Sequence, residues 1–233
     1  SFNTASSLTM SADGTMDLNS KSQSFSAVNG TGGTVALGNG TLGVNGSSDS
    51  NFAGSITGNG ALTKDGSGTL ALTGASSYTG ATVVSDGLLV VNGSISTSSL
   101  TTIQSGATLG GSGTVGALTV DAGGTVAPGN SPGTVTLGSG FTLDLSSSGT
   151  SVFEITDPAY TAGTFDLVSG DGSVVFGGIL NLAFSGGSYA EGTDVLQLFA
   201  NTGGRSGNFS AVNYTGLAAG QSATFNPVTG FIT

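Results

Sequence analysis

Apolar residues in this chain come in short bursts that alternate with small polar ones, and each burst stops at a turn residue. Residues 69–73 read T-L-A-L-T, 82–84 read T-V-V and 88–91 read L-L-V-V. A period of two with Val and Leu prominent is the mark of a strand with one buried face. No window of eleven residues carries an apolar stripe at i, i+3, i+4, so almost no helix is expected. Asn-Gly pairs stand at 29–30, 39–40, 45–46, 59–60 and 92–93. Both residues tolerate positive φ, so each pair marks a tight turn or a corner.

The spacing of the bursts decides between hairpins and corners. Gly68, Gly87, Gly106 and Gly124 each open a strand-like run, at intervals of 19, 19 and 18 residues. Hairpin meanders repeat every ~8–12 residues. A period near 19 with two or three short strands fits one rung of a parallel β-helix, each rung ~4.8 Å above the last. Residues 29–145 then make about six rungs. The predicted inward ladder is Leu70, Leu89, Leu109 and Val126. Residues 1–28 are less regular and are expected to form an N-terminal cap or an exchanged strand. The β-helix repeats are assigned to residues 29–147. Residues 148–233 form a more aromatic, β-rich continuation or a sandwich-like unit: nine Phe and three Tyr lie in residues 141–233, against three Phe and one Tyr before them. Longer strands are expected there, at residues 141–145, 152–155, 164–168, 173–176, 179–184, 194–199 and 223–226.

Composition removes most chemistry. Of 233 residues 43 are Gly, none is Cys or His, and Lys plus Arg number 3 against 13 acidic residues, for a net charge of −10. Without Cys or His there is no disulfide, no ordinary zinc site and no Ser-His-Asp or Cys-His nucleophile. Three cations are too few to follow phosphates, so no nucleic-acid partner is expected. No apolar run is long enough to span a bilayer as a helix, so no membrane insertion of that kind is expected. The 36% hydrophobic content separates the chain from disordered Gly/Ser tracts. Ser1 in place of an initiating Met fits removal of an export leader.

Residues 60–93 carry a longer pattern: Leu62, Thr63, Lys64, Gly66, Gly68, Thr69, Leu70, Leu72, Gly74, Tyr78, Thr79, Gly80, Thr82, Gly87, Leu89, Val91, Asn92 and Gly93. In these residues the chain resembles the autotransporter-associated β-strand repeat. The T-L-G-G-S-G-T-V and A-P-G-N-S-P-G-T segments of residues 107–137 are similar to the segment that usually succeeds that repeat. The resemblance implies a right-handed parallel β-helix, export from a bacterial cell, a secreted or cell-surface location and no enzymatic activity. No series of barrel-type strands is visible in this sequence.

Site candidates are few. Asp65, Asp86 and Asp121 fall near corners and could line up as an acidic row, although a turn Asp bonding its own loop is the plainer reading. Asp166 and Asp171 sketch a loose cation site, but the G-G-x-G-x-D repeat of calcium solenoids is absent. No metal, cofactor or catalytic residue is therefore assigned. Tyr78 is the candidate glycan contact. Ser1, Phe2, Leu8, Met10 and Phe231 are the candidate subunit contacts, because the ends of a β-helix present open strand edges. The leading expectation is an extracellular structural protein that self-assembles into a filament, sheath or biofilm-matrix fibre. The alternative is a monomeric adhesin or carbohydrate-binding passenger whose partner is an extracellular polysaccharide.

Overall fold

A computed structural model describes residues 6–129, 132–157, 159–160, 163–186, 189 and 196–233. Outside a short antiparallel sheet at the C-terminal end, its strands stack in parallel, each one pairing with the strand one turn of chain away and not with its immediate sequence neighbour. Three faces result. The first holds ten strands, from Ser7–Met10 to Ala211–Thr215, and the second holds nine, from Gln23–Phe25 to Arg205–Gly207. The third holds three strands and then five, joined by a parallel bridge between Ala75 and Ser94. The chain is a parallel β-helix, and no helical segment occurs among the described residues. Ten strands on the first face span about 43 Å at the ordinary inter-strand spacing.

The register follows from which residues alternate inward. Leu70 pairs with Leu89, Leu89 with Leu109 and Leu109 with Val126, and each is at most 1% exposed. The predicted ladder is thus an unbroken column. Each buried Leu or Val contributes about 1.5–3 kcal/mol by leaving water. The strands read at 82–84 and 88–91 are present as Thr82–Val84 and Leu88–Val91. Four of the five Asn-Gly pairs lie between strands as corners, while Asn29 and Gly30 end the strand Ala27–Gly30.

Corners can stack this closely only because of what is missing from them. Gly54, Gly74, Gly93 and Gly113 follow successive strands of the first face. A Cβ built on Gly74 would lie 2.1 Å from the Gly54 carbonyl oxygen, and one on Gly93 would lie 2.0 Å from that of Gly74. No side chain fits such a gap, so the repeat has glycine there.

Toward the C-terminus the rungs widen. Thr69 to its partner Leu88 takes 19 residues, Thr150 to Ile179 takes 29 and Ile179 to Ala211 takes 32. The first face runs on through Thr125–Pro128, Thr150–Ile155 and Ile179–Phe184. The added width is filled by Phe153, Phe176, Phe199, Phe209 and Phe225, whose ring centroids lie 5.0–6.1 Å apart where they touch. Some expected strands shift. The run expected at 164–168 becomes Leu167–Gly170, because Phe165 bridges back antiparallel to Ile155. The run expected at 194–199 appears as Leu196–Gln197 and Phe199–Asn201, with 194 and 195 outside the described residues. Phe231–Ile232 lies antiparallel between Leu196–Gln197 and Phe225–Asn226, closing one side of the last rung.

Candidate functional site

Three polar devices are built into the stack. The first is Lys64. It shares the inward side of Ala61–Lys64 with Leu62 and is 1% exposed. Its ammonium donates to the Gly66 carbonyl in its own corner and, at 3.1 Å, to the Asp86 carbonyl one rung on. Burial lowers its pKa, opposed by the charges of Asp86, Asp65 and Asp49. The head is committed to backbone, so Lys64 acts as a staple between rungs rather than as a base.

The second device is Tyr78. Its hydroxyl lies 2.6 Å from Thr82 Oγ1, which lies 3.0 Å from Ser98 Oγ, which donates to the Gly80 carbonyl. Tyr78, Thr82 and Ser98 are all buried. Burial pushes the phenol up to about 12, against the hydrogen bonds from Thr82 and Ser98. The expectation that Tyr78 contacts a glycan is corrected on this point, because a ring with no exposed face offers nothing for a sugar to stack on.

Tyr78, Lys64, the Leu70–Leu89 column and the Gly74 and Gly87 corners all fall within one stretch, and the family model of the passenger-associated-transport-repeat matches residues 62–91. The chain carries that repeat. A segment of 79 residues is also 57% identical to the adhesin BmaC autotransporter of Brucella suis biovar 1 (strain 1330). The segment covers 34% of this chain and 2% of that protein, so the chain spans only a small part of the relative's length. Within the passenger-associated-transport-repeat the geometry accounts for the signature residues one by one. Lys64 ties rungs, Tyr78 fills a corner and the glycines let the corners meet.

The acidic candidates do not converge. Lys64, Val84, Ile103 and Val120 are register partners, which sets Asp65, Ser85, Gln104 and Asp121 in one row. Two neutral rungs thus separate Asp65 from Asp121, and Asp86 lies one position further along the chain. The Asp86 carboxylate accepts the Gly87 N–H at 2.8 Å, a turn arrangement. Asp166 is 2% exposed and accepts the Gly133 and Glu154 N–H groups, each at 2.8 Å. Burial pushes it up to about 6 against those two bonds. Asp171 instead accepts the Thr202 hydroxyl at 2.9 Å. Among the described residues no three acidic side chains gather as a metal site would need.

The third device ends the stack. The strand Phe199–Asn201 is the last on the third face. The N–H groups of Phe199 and of Leu198, the residue just before the strand, donate to the Gly230 carbonyl. The strand's carbonyls at Phe199 and Asn201 accept Arg205 Nη2 at 2.7 and 2.8 Å, and Arg205 Nε donates to Asn201 Oδ1 at 3.0 Å. One side of the final rung is thereby sealed. Phe231 lies on the middle strand of the closing sheet, with both edges paired. Ser1 and Phe2 lie outside the described residues. Leu8 and Met10 lie on Ser7–Met10, which among the described residues is paired only with Ala27–Gly30 and forms the first edge of the first face.

On the first face the outward positions are mostly uncharged, with Glu154 an acidic exception on Thr150–Ile155. One outward column of the first face runs through Thr69, Leu88, Thr108, Thr125 and Thr150. A second begins with Thr9, Asn29 and Asn51, runs through the apolar Ala71, Val90, Gly110, Ala127 and Val152, and ends with Asn181 and Asn213. Asn29 Oδ1 accepts the Asn51 N–H at 2.9 Å, and Asn213 Nδ2 donates to Asn181 Oδ1 at 3.0 Å. Sequence reading missed the Lys64, Arg205 and outward Asn roles. For Lys64 the signal was present, because in A-L-T-K it falls two residues after the inward Leu62.

Proposed function

We propose that this chain is a rigid, surface-displayed segment of an adhesive passenger, located outside the cell and acting by contact rather than by catalysis. The observation that carries the reading is one continuous ten-stranded face whose outward columns present hydroxyls at Thr69, Thr108, Thr125 and Thr150 and amides at Asn29, Asn51, Asn181 and Asn213, with small or aliphatic residues between them. The matching repeat and the adhesin relative support it. The ionisable groups with raised or lowered pKa at Lys64, Tyr78 and Asp166 are bonded within the fold, which suits a scaffold. The test is display of the chain on a non-adherent bacterium. Adherence to cells or coated surfaces should rise well above that of a β-helix of equal length with a charged outer face. Equal adherence of the two would sink the reading.

Self-assembly is the second reading. Among the described residues Ser7–Met10 and Ala211–Thr215 each have a partner on one side only. They belong to the same columns, so a second copy could add with Leu8 over Val212 and Met10 over Tyr214. Electron microscopy at high protein concentration discriminates: uniform single particles would exclude a fibre.

A further inference from the structure

The corner after the first strands of the first face encloses a groove of about 490 Å³, lined by Thr9, Met10, Asn29, Thr31, Asn51 and Thr73, with Gly30 and Ala53 between them. That volume lies in the range of small-ligand sites. We propose that it binds a short stretch of neutral, hexose-based polysaccharide lying along the axis of the stack. This rests on the adhesive reading above and names its ligand class.

The lining argues for the class. It holds amides and hydroxyls at the rim and the apolar groups of Met10 and Ala53, with no charged residue among the eight. A pyranose offers the same division, hydroxyls around its edge and C–H groups on its faces. The Asn29 oxygen is used by the Asn51 N–H, which turns its amino group to the outside. Among the described residues no protein group holds that amino group or the Asn51 carboxamide, so both are free to bond a ligand. Asn51, Ala53 and Thr73 are exposed.

The spacing argues for the direction. The lining residues come from four consecutive strands and their corners, so similar polar groups recur at ~4.8 Å over about 14 Å. A β-linked hexose chain advances by nearly one rung per sugar. An extended peptide repeats its side at about 6.7 Å and falls out of step within two rungs.

The experiment is titration of the whole chain with neutral linear oligosaccharides, from disaccharide to hexasaccharide in the glucose, mannose and galactose series, followed by calorimetry and by amide shifts. Affinity should rise with length and level off near three or four sugars. Ala53→Trp, at an exposed position, should weaken binding at least tenfold, and Asn51→Ala should weaken it severalfold. Thr102→Trp, on the outside of the second face, should change it less than twofold. Two outcomes overturn the proposal: no length-dependent binding in any series, or binding that Ala53→Trp leaves intact. Adherence that survives Ala53→Trp while oligosaccharide binding is lost would refute the glycan groove as the adhesive contact and leave the adhesive reading standing. Retained oligosaccharide binding with no adherence would do the reverse.

Discussion

Arg205 is the residue that stops the stack on its third face, and removing it gives a test with a calculable size. Arg205→Ala takes away three hydrogen bonds to main-chain carbonyls, those of Phe199, Asn201 and Val228 at 2.7, 2.8 and 3.5 Å, and one to the Asn201 side chain at 3.0 Å. A hydrogen bond to a charged group contributes about 1.5–3 kcal/mol where its loss leaves a buried group unsatisfied. Arg205 is only half-buried, so water can re-solvate part of what it leaves. A net loss of about 2 kcal/mol follows. For a chain of this size each kcal/mol moves Tm by about 2–4 °C, so melting should fall by about 4–8 °C. The variant also bares the carbonyl edge of Phe199–Asn201, a ready template for another strand. Light scattering behind size exclusion should therefore show more concentration-dependent oligomer than the parent forms under the same conditions. Arg205→Lys should restore only part of both effects, because an ammonium cannot present the flat fork that reaches these carbonyls and the Asn201 side chain. A melting change below about 1 °C with an unchanged mass would refute the capping role.

Gly74→Ala should cost about 2–4 kcal/mol in urea unfolding, because its Cβ meets the Gly54 carbonyl at 2.1 Å, whereas Gly204→Ala, with nothing within 4 Å, should stay within about 0.5 kcal/mol. Tyr78→Phe removes one buried hydroxyl while Thr82 keeps Ser98, so a loss of about 1 kcal/mol is expected with oligosaccharide binding unchanged. Asp166 has its pKa raised to about 6 in the fold from an ordinary 3.8, so the folded state holds the proton more tightly. Its contribution is full below pH 3.8 and is lost as pH rises through 6. Between pH 4 and 6 the parent should lose about 1–2 kcal/mol relative to Asp166→Asn, with solvent screening discounted, and parallel stability curves for the two proteins would contradict this.

Much of the architecture was legible because a β-helix writes its register into its sequence. Leu70, Leu89, Leu109 and Val126 could be aligned from the glycines before them, since each rung has nearly the same length there. Beyond residue 145 the rungs lengthen unevenly, so no fixed period points to partners such as Ile179 and Ala211. The aromatic excess signalled a thicker core but not which rings would meet. Tyr78 misled because an isolated aromatic among Gly and Thr looks exposed, while Thr82 and Ser98, which complete its setting, lie 4 and 20 residues away. Arg205 gave no local sign, because its partners Phe199 and Asn201 become a bare edge only once the last rung is closed. The groove was hidden for a related reason, since Thr9, Asn29 and Asn51 become neighbours only by stacking.

The widening of the rungs also bears on how the chain folds. Closing a loop of 32 residues rather than 19 adds only about 0.5 kcal/mol of chain entropy, because that term grows with the logarithm of length. The larger aromatic rungs are therefore almost as easy to close as the narrow ones, while each buries more surface when it does. Every rung finds its partner within a few tens of residues, so no step waits for the far end of the chain. Assembly can zip outward from the aromatic end, one turn at a time, each completed rung serving as the template for the next.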